Sequence, residues 1–190
     1  MEAVTPYGTR RLRLEPFVPL HAAAVLAYYD RNRAHLERWE PSRSPDFYTL
    51  EHHVRDAERS AIATTNEECA RFVVFERDGE EVVALVNLWN IRRGVVQAAV
   101  VGYSVDARRE GRGYATEAVK AVVAYAFGTL NLHRLETSYQ PTNERSGRVL
   151  RKLGFVVEGY ARDYLYLDGA WRDGILVSLT NPDWTHSPTG

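Results

Sequence analysis

The sequence predicts an α+β layered fold, a single domain with helices laid against a mixed sheet. Three observations carry that reading. After one strand pattern, the first third of the 190 residues is dominated by helical periodicity. Residues 70–106 then change character and hold three strand patterns separated only by short turns. From there helix and strand patterns alternate until a hairpin closes near residue 180.

Taken in order, residues 10–17 (RRLRLEPF) alternate and read as the first strand. Residues 19–41 are helix-rich and read as two short helices broken near Asn32; residues 42–48, with Ser and Pro, read as a loop. Residues 49–64 form a helix with Thr49 as N-cap, and His52 three positions on leaves the capping box incomplete. Residues 70–76 and 82–91 flank RDGEE as a hairpin. The apolar run over 95–106 is typical of a strand covered on both faces. A glycine turn follows, then a helix with Ala115, Ala118, Val119, Val122 and Ala126 on one face. Residues 133–140 are a strand. Residues 143–155 read as a helix capped by Asn143 and stopped at Gly154. Two last strands flank Asp168-Gly169, a strong hairpin signal. The domain is expected over 1–182, with 183–190 as a C-terminal tail.

Bulk properties narrow the function classes. Net charge is −1, so the global basic footprint of a nucleic-acid binder is absent and no direct nucleic-acid recognition is expected. Cys69 is the single cysteine, which excludes an intramolecular disulfide and suits a reducing cytoplasm. No signal-peptide core or membrane-length apolar window occurs. The six histidines show no metal-binding spacing, and no metal is expected.

The turn itself (ARREGRGYATEA, residues 107–118) sets Arg108, Arg109 and Arg112 around Gly111 and Gly113, just ahead of a helix. A helix N-terminus offers free N–H groups and a positive dipole end, and glycines let a ligand approach the backbone. The turn is therefore either a phosphate seat or a solvated arginine-rich turn. It is not a P-loop, since Gly113 is followed by Tyr114 and Ala115. It also lacks the third glycine of a dinucleotide fingerprint, where Thr116 stands.

Arg108-x-x-Gly111-x-Gly113 resembles the pyrophosphate loop of the GNAT acetyltransferase superfamily, and NERSGRVLRKLGF (143–155) resembles its second motif at the matching distance. The chain is similar end to end to the RimJ/RimL-type ribosomal-protein-alanine N-acetyltransferases, including NRAHLERWEP (32–41), VGYSVD (101–106), EGYARDYLYLDGAWRD (158–173) and LTNPDW (179–184). The resemblance implies a mostly antiparallel sheet splayed at the cofactor site, helices on both faces, and acetyl-CoA as cosubstrate. It places the pyrophosphate on residues 109–116, including Tyr114, Ala115 and Thr116. The pantetheine arm lies along the backbone near Tyr103 and Val105, and Asn143 and Ser146 lie against the cofactor. The implied acceptor is the N-terminal α-amine of a ribosomal or other cytosolic protein, met free or on the ribosome, by a monomer or a homodimer.

The chemistry needs a neutral amine, a polarised carbonyl and a proton for the departing thiolate. Where much of the superfamily has a donor tyrosine, this chain has Leu150. Ser146, four residues earlier on the same helix face, is the expected donor by resemblance; read from its position alone, it is a small first-turn residue. A glutamate that many relatives place two residues before the Gly-Tyr of the strand is Val100 here. Candidate bases are Glu136, Glu158, Asp173, or Tyr103 through water, each equally readable as an exposed strand residue; Tyr103 and Glu158 stand with Ser146 as catalytic candidates. An α-amine, with a pKa of about 7.7–8.0, needs less help than a lysine near 10.4.

Trp39, Glu40 and Tyr164 are the candidate acceptor contacts. Glu40 suits a cationic peptide, Trp39 fits core packing as well as contact, and the Tyr160, Tyr164, Tyr166 series reads as core or as cleft wall. Two other functions remain open: acetylation of a small amine such as an antibiotic or polyamine, and a CoA-binding ribosome-assembly factor with little turnover.

Overall fold

The computed structural model describes residues 7–186. Among them the chain forms strands β1 (Tyr7–Gly8), β2 (Leu12–Pro16), β3 (Ala70–Glu76), β4 (Val82–Arg92), β5 (Ala98–Val105), β6 (Arg134–Tyr139), β7 (Val156–Leu167) and β8 (Ala170–Thr180). The helices are α1 (Ala22–Leu36), α2 (Leu50–Thr65), α3 (Tyr114–Ala124) and α4 (Glu144–Lys152). One eight-stranded sheet runs β1-β2-β3-β4-β5-β6-β8-β7. Every neighbouring pair is antiparallel except β5 and β6, which are parallel because α3 carries the chain back between them.

Both faces of the sheet centre are buried. Val73, Phe75, Val82 and Leu85 pack toward Val25 and Tyr28 of α1 and Ala57 of α2. Phe72, Val74, Val86 and Leu88 pack toward Val119 and Val122 of α3 and Leu150 of α4. The near-continuous apolar runs of β3 and β4 follow from this two-sided burial. The expectation of helices on both faces matches the arrangement.

Three local expectations are corrected. Helix α1 is continuous through Asn32. Asn32 is 1% exposed; its amide donates to Tyr28 O (2.9 Å), while Oδ1 accepts from Ala107 N (2.9 Å). A side chain that looks like a helix breaker is thus satisfied by the turn ahead of α3. The third meander strand starts at Ala98, because Gly94 and Gln97 take left-handed φ values of 67° and 45° that close the turn first. Residues 45–48 form a 3-10 turn inside the loop, and the two-residue β1 was not anticipated.

Other signals hold in detail. Thr49 Oγ1 accepts from His52 N (3.2 Å), and Asp168 and Gly169 both adopt positive φ (50° and 70°), as a two-residue I′ hairpin requires. Beyond β8, Trp184 donates to Asn131 O (3.0 Å) and meets His133 edge-on, so this part of the expected tail is docked; residues 1–6 and 187–190 lie outside the described residues. Among the described residues no helix is long and apolar enough to cross a membrane.

Candidate active site

The parallel pair β5 and β6 is joined only over Ala98–Val100 and Arg134–Glu136. Beyond those residues the two strands diverge, and the edge of β5 from Val101 to Val105 faces no strand on that side. A cleft of about 1060 Å³ opens in the splay, walled by Tyr103 and Val105 of β5, Thr137 and Tyr139 of β6, the turn ahead of α3, and α4. The indole of Trp89 fills the space over Gly102 at the cleft edge; a Cβ there would sit 2.3 Å from Cζ3.

The glycine turn is assembled around a buried carboxylate. Asp106, 1% exposed, accepts from Arg108 N (2.9 Å), the Arg108 guanidinium (3.0 Å) and Arg31 Nε (2.7 Å). Burial opposes its ionisation, but these bonds prevail and hold its carboxyl well below the usual range. Gly111 and Gly113 then take φ of 73° and 79°, and Gly113 is the N-cap of α3. The first intrahelical bond of α3 is Glu117 N to Gly113 O (3.0 Å), so the N–H groups of Tyr114, Ala115 and Thr116 have no partner within the helix. Nothing lies within 4 Å of the Cβ position at Gly111, so a ligand meets bare backbone there.

The three arginines divide. Arg108 is spent on Asp106 and Glu81 and does not line the cleft. Arg109 lines it, with Glu76 at 3.2 Å as partner, and Tyr114 donates to the same glutamate (2.7 Å). Arg112 contributes its carbonyl, which accepts from Arg11 (2.9 Å). The seat is therefore mainly one of backbone amides.

Across the cleft, Ser146 sits in the first turn of α4. Asn143 Oδ1 accepts from Ser146 N (3.1 Å), so the asparagine caps the helix and fixes the serine together. Tyr103 Oη lies 2.9 Å from Ser146 Oγ and donates toward Ser146 O at 3.3 Å. Burial pushes the Tyr103 phenol up to about 12, so it stays protonated at neutral pH and acts as a donor. With the phenol donating to Ser146 Oγ, the serine hydrogen is free to point into the cleft. Leu150 is 1% exposed beneath the pair, filling core.

The candidate bases are placed elsewhere. Glu158 accepts from Arg134 and from Ser178 Oγ (2.7 Å), and Glu136 is held by Arg92 and by Arg134 (2.8 Å). Asp173 accepts from Tyr160 and from Asp163 N (2.9 Å). None of the three lines the cleft. The bonds from Arg134 hold Glu158 below the ordinary glutamate value; Arg134 and Arg92 outweigh burial at Glu136; Tyr160 does the same for Asp173.

Trp39 and Glu40 do line the cleft, at its end nearest α1. Tyr164 does not: its ring covers Gly174, where a Cβ would meet Cδ1 at 2.9 Å, and Leu165 and Leu167 face the cleft instead. Tyr160, Tyr164 and Tyr166 are 59%, 46% and 58% exposed, so the series is neither core nor cleft wall. Period-two reading failed there because β7 is irregular against β8 between Ala161 and Leu165, with Asp163 at φ 48°. Sequence reasoning also missed Glu110, which lines the cleft and pairs with Arg145 of α4 and with His35 of α1 (3.5 Å). No local pattern signals a contact among three separate elements.

Among the described residues no group of three or more His, Cys, Asp or Glu is placed to hold a metal ion. Residues 11–156 match the family model described as Acetyltransferase (GNAT) domain. The chain is 38% identical over 163 residues to the [ribosomal protein uS5]-alanine N-acetyltransferase of Escherichia coli K12, covering 83% of this chain and 81% of that one. It superposes with a TM-score of 0.92 on the ribosomal-protein-S5-alanine acetyltransferase of Vibrio fischeri, at 35% identity over 96% of this chain and all of that one. The TM-score is 0.85 for Mycobacterium smegmatis RimJ in complex with CoA-disulfide, at 31% identity over 93% and 85% of the two chains.

Proposed function

Since the chain belongs to the GNAT acetyltransferase family and is an acetyltransferase, we propose that it moves an acetyl group from acetyl-CoA to the N-terminal α-amine of a protein, namely a ribosomal protein that begins with alanine. The observation that carries this is the Ser146–Tyr103 pair at 2.9 Å, set in the splay between the amide seat of α3 and the Trp39–Glu40 end of the cleft.

The residues fit the cosubstrate. Free amides of Tyr114, Ala115 and Thr116 and the open space at Gly111 suit a pyrophosphate; the unpaired edge of β5 suits a chain of amides such as pantetheine. Acetyl-CoA brings an acyl group activated as a thioester. Ser146 then donates its hydroxyl hydrogen toward the departing sulfur, while Tyr103 donates to Ser146 Oγ and keeps that hydroxyl oriented. The N-terminus of α4 adds a positive dipole end beside the developing negative charge. Thiols titrate near 8.5, so a hydroxyl donor suffices. With Glu136, Glu158 and Asp173 committed to other partners, an acceptor with a useful neutral fraction near pH 7 suits this cleft, and an α-amine has one. The name of the E. coli relative supplies the alanine and the ribosomal protein.

Intact-mass spectrometry after incubation with acetyl-CoA tests this. The panel holds basic peptides starting with Ala, Ser or Met, an N-blocked lysine peptide, a polyamine and an aminoglycoside. The expected product is the acetylated Ala peptide. Acetylation of a small amine alone would overturn the acceptor assignment.

A further inference from the structure

Helix α4 carries a charged stripe that the chemistry at Ser146 does not use. Arg145, Arg148 and Lys152 are spaced i, i+3 and i+7, which puts them on one helical face, and all three line the cleft with Val149 between them. The stripe extends about 10 Å along the helix axis. It stands on the wall opposite the amide seat of α3.

The partners of the three cations differ. Arg145 is engaged by Glu110. Arg148 meets only Glu144 one turn back, at 3.3 Å, with side chains 54% and 79% exposed; such a pair is easily displaced. Lys152 forms no ion pair among the described residues, although it faces a cleft shared with three acidic side chains, Glu40, Glu110 and Glu144. Two cations are thus available beside a seat that already accommodates a pyrophosphate through backbone amides. Coenzyme A bears a third phosphate, a monoester on the ribose 3′ oxygen, which the amide seat does not account for.

We propose that Arg148 and Lys152 bind the ribose 3′-phosphate and make the cleft select coenzyme A over its 3′-dephospho form. The inference rests on the acetyl-CoA reading above and deepens it. Both side chains are on the solvent side of α4, so their replacement leaves the core intact. A charge-assisted contact to a dianionic monoester is salt-sensitive, so the selection should shrink as ionic strength rises.

Isothermal titration of coenzyme A and 3′-dephospho-CoA into the wild type and into R148Q/K152Q, without acceptor, tests it. The wild type should bind coenzyme A about tenfold or more tightly than the dephospho form, as one surviving charged contact implies. The double variant should bind both alike, with its affinity for dephospho-CoA unchanged and its thermal midpoint close to wild type. Inorganic phosphate at millimolar levels should not abolish the preference, because a free anion lacks the tether. Equal binding of both forms by the wild type overturns the inference while leaving the cofactor assignment standing; a stripe serving nucleic-acid phosphates would give that result. A variant that weakens both forms equally also overturns it. Failure of the wild type to bind either form overturns the cofactor assignment itself.

Discussion

Replacing Ser146 by alanine should slow acetyl transfer without unfolding the protein, and pairing it with Tyr103→Phe reveals whether the two hydroxyls act as a unit. Ser146 Oγ has Tyr103 Oη at 2.9 Å, so either single change removes one partly buried hydrogen bond, about 1 kcal/mol of stability. The helix cap survives, because Asn143 receives the backbone N–H of residue 146 and not its hydroxyl. A positioned proton donor is worth roughly 100-fold at the low end of general acid catalysis, about 2.7 kcal/mol of barrier. Ser146→Ala should lose about that much in single-turnover rate. Tyr103→Phe leaves the serine in place but unheld, and about three- to tenfold is expected, since orientation alone is lost. The double variant should be no slower than Ser146→Ala, because the tyrosine acts only through the serine. A thioester with a more acidic thiol should narrow the Ser146→Ala deficit. The assay is rapid-quench measurement of acetyl-peptide formation with enzyme in excess. A Ser146→Ala rate within twofold of wild type would refute the donor role. Multiplied losses in the double variant would refute the relay.

Three further outcomes follow from the same geometry. Asp106→Ala strips the partner from Arg31 and Arg108 and should cost about 3 kcal/mol in urea unfolding, with weaker coenzyme A binding as the turn loosens; a variant as stable as wild type would contradict the anchoring role. His53 is 1% exposed, stacks on Tyr29 (centroids 5.6 Å apart) and has no hydrogen-bond partner on either ring nitrogen; burial first, then His52, lowers its pKa from 6.5 to about 4. The unfolded chain therefore takes up the proton first as pH falls. Stability is full above about 6.5 and declines toward pH 4 by at most about 3 kcal/mol; His53→Phe should flatten that slope in urea titrations, and unchanged slopes would exclude the histidine as its source. Gly102→Ala puts a methyl 2.3 Å from Trp89 Cζ3, so thermal unfolding should show a loss of about 1–3 kcal/mol, and an unchanged midpoint would mean that the indole moves aside freely.

The order of strands and helices was legible in the sequence because each signal is local. Thr49 and Asn143 cap helices with their own side chains, Asp168-Gly169 selects a hairpin by φ preference, and the apolar periods of β3, β4 and α3 reflect one backbone each. The glycine seat was legible for the same reason: Gly111 and Gly113 adopt left-handed angles that few other residues tolerate. The chain alone also placed Ser146 one helical turn before Leu150. What brings Ser146 to Tyr103, and Arg145 to Glu110 and His35, is the parallel crossover that splays β5 from β6 and lays α3 and α4 side by side. Only the tertiary structure decided that Arg108 turns to Asp106, that Asn32 continues a helix, that Glu158 faces Arg134, and that Leu165 rather than Tyr164 looks into the cleft. In each case the choice depends on a partner from another element or on an irregularity in strand pairing, and neither is encoded in the local periodicity of the chain.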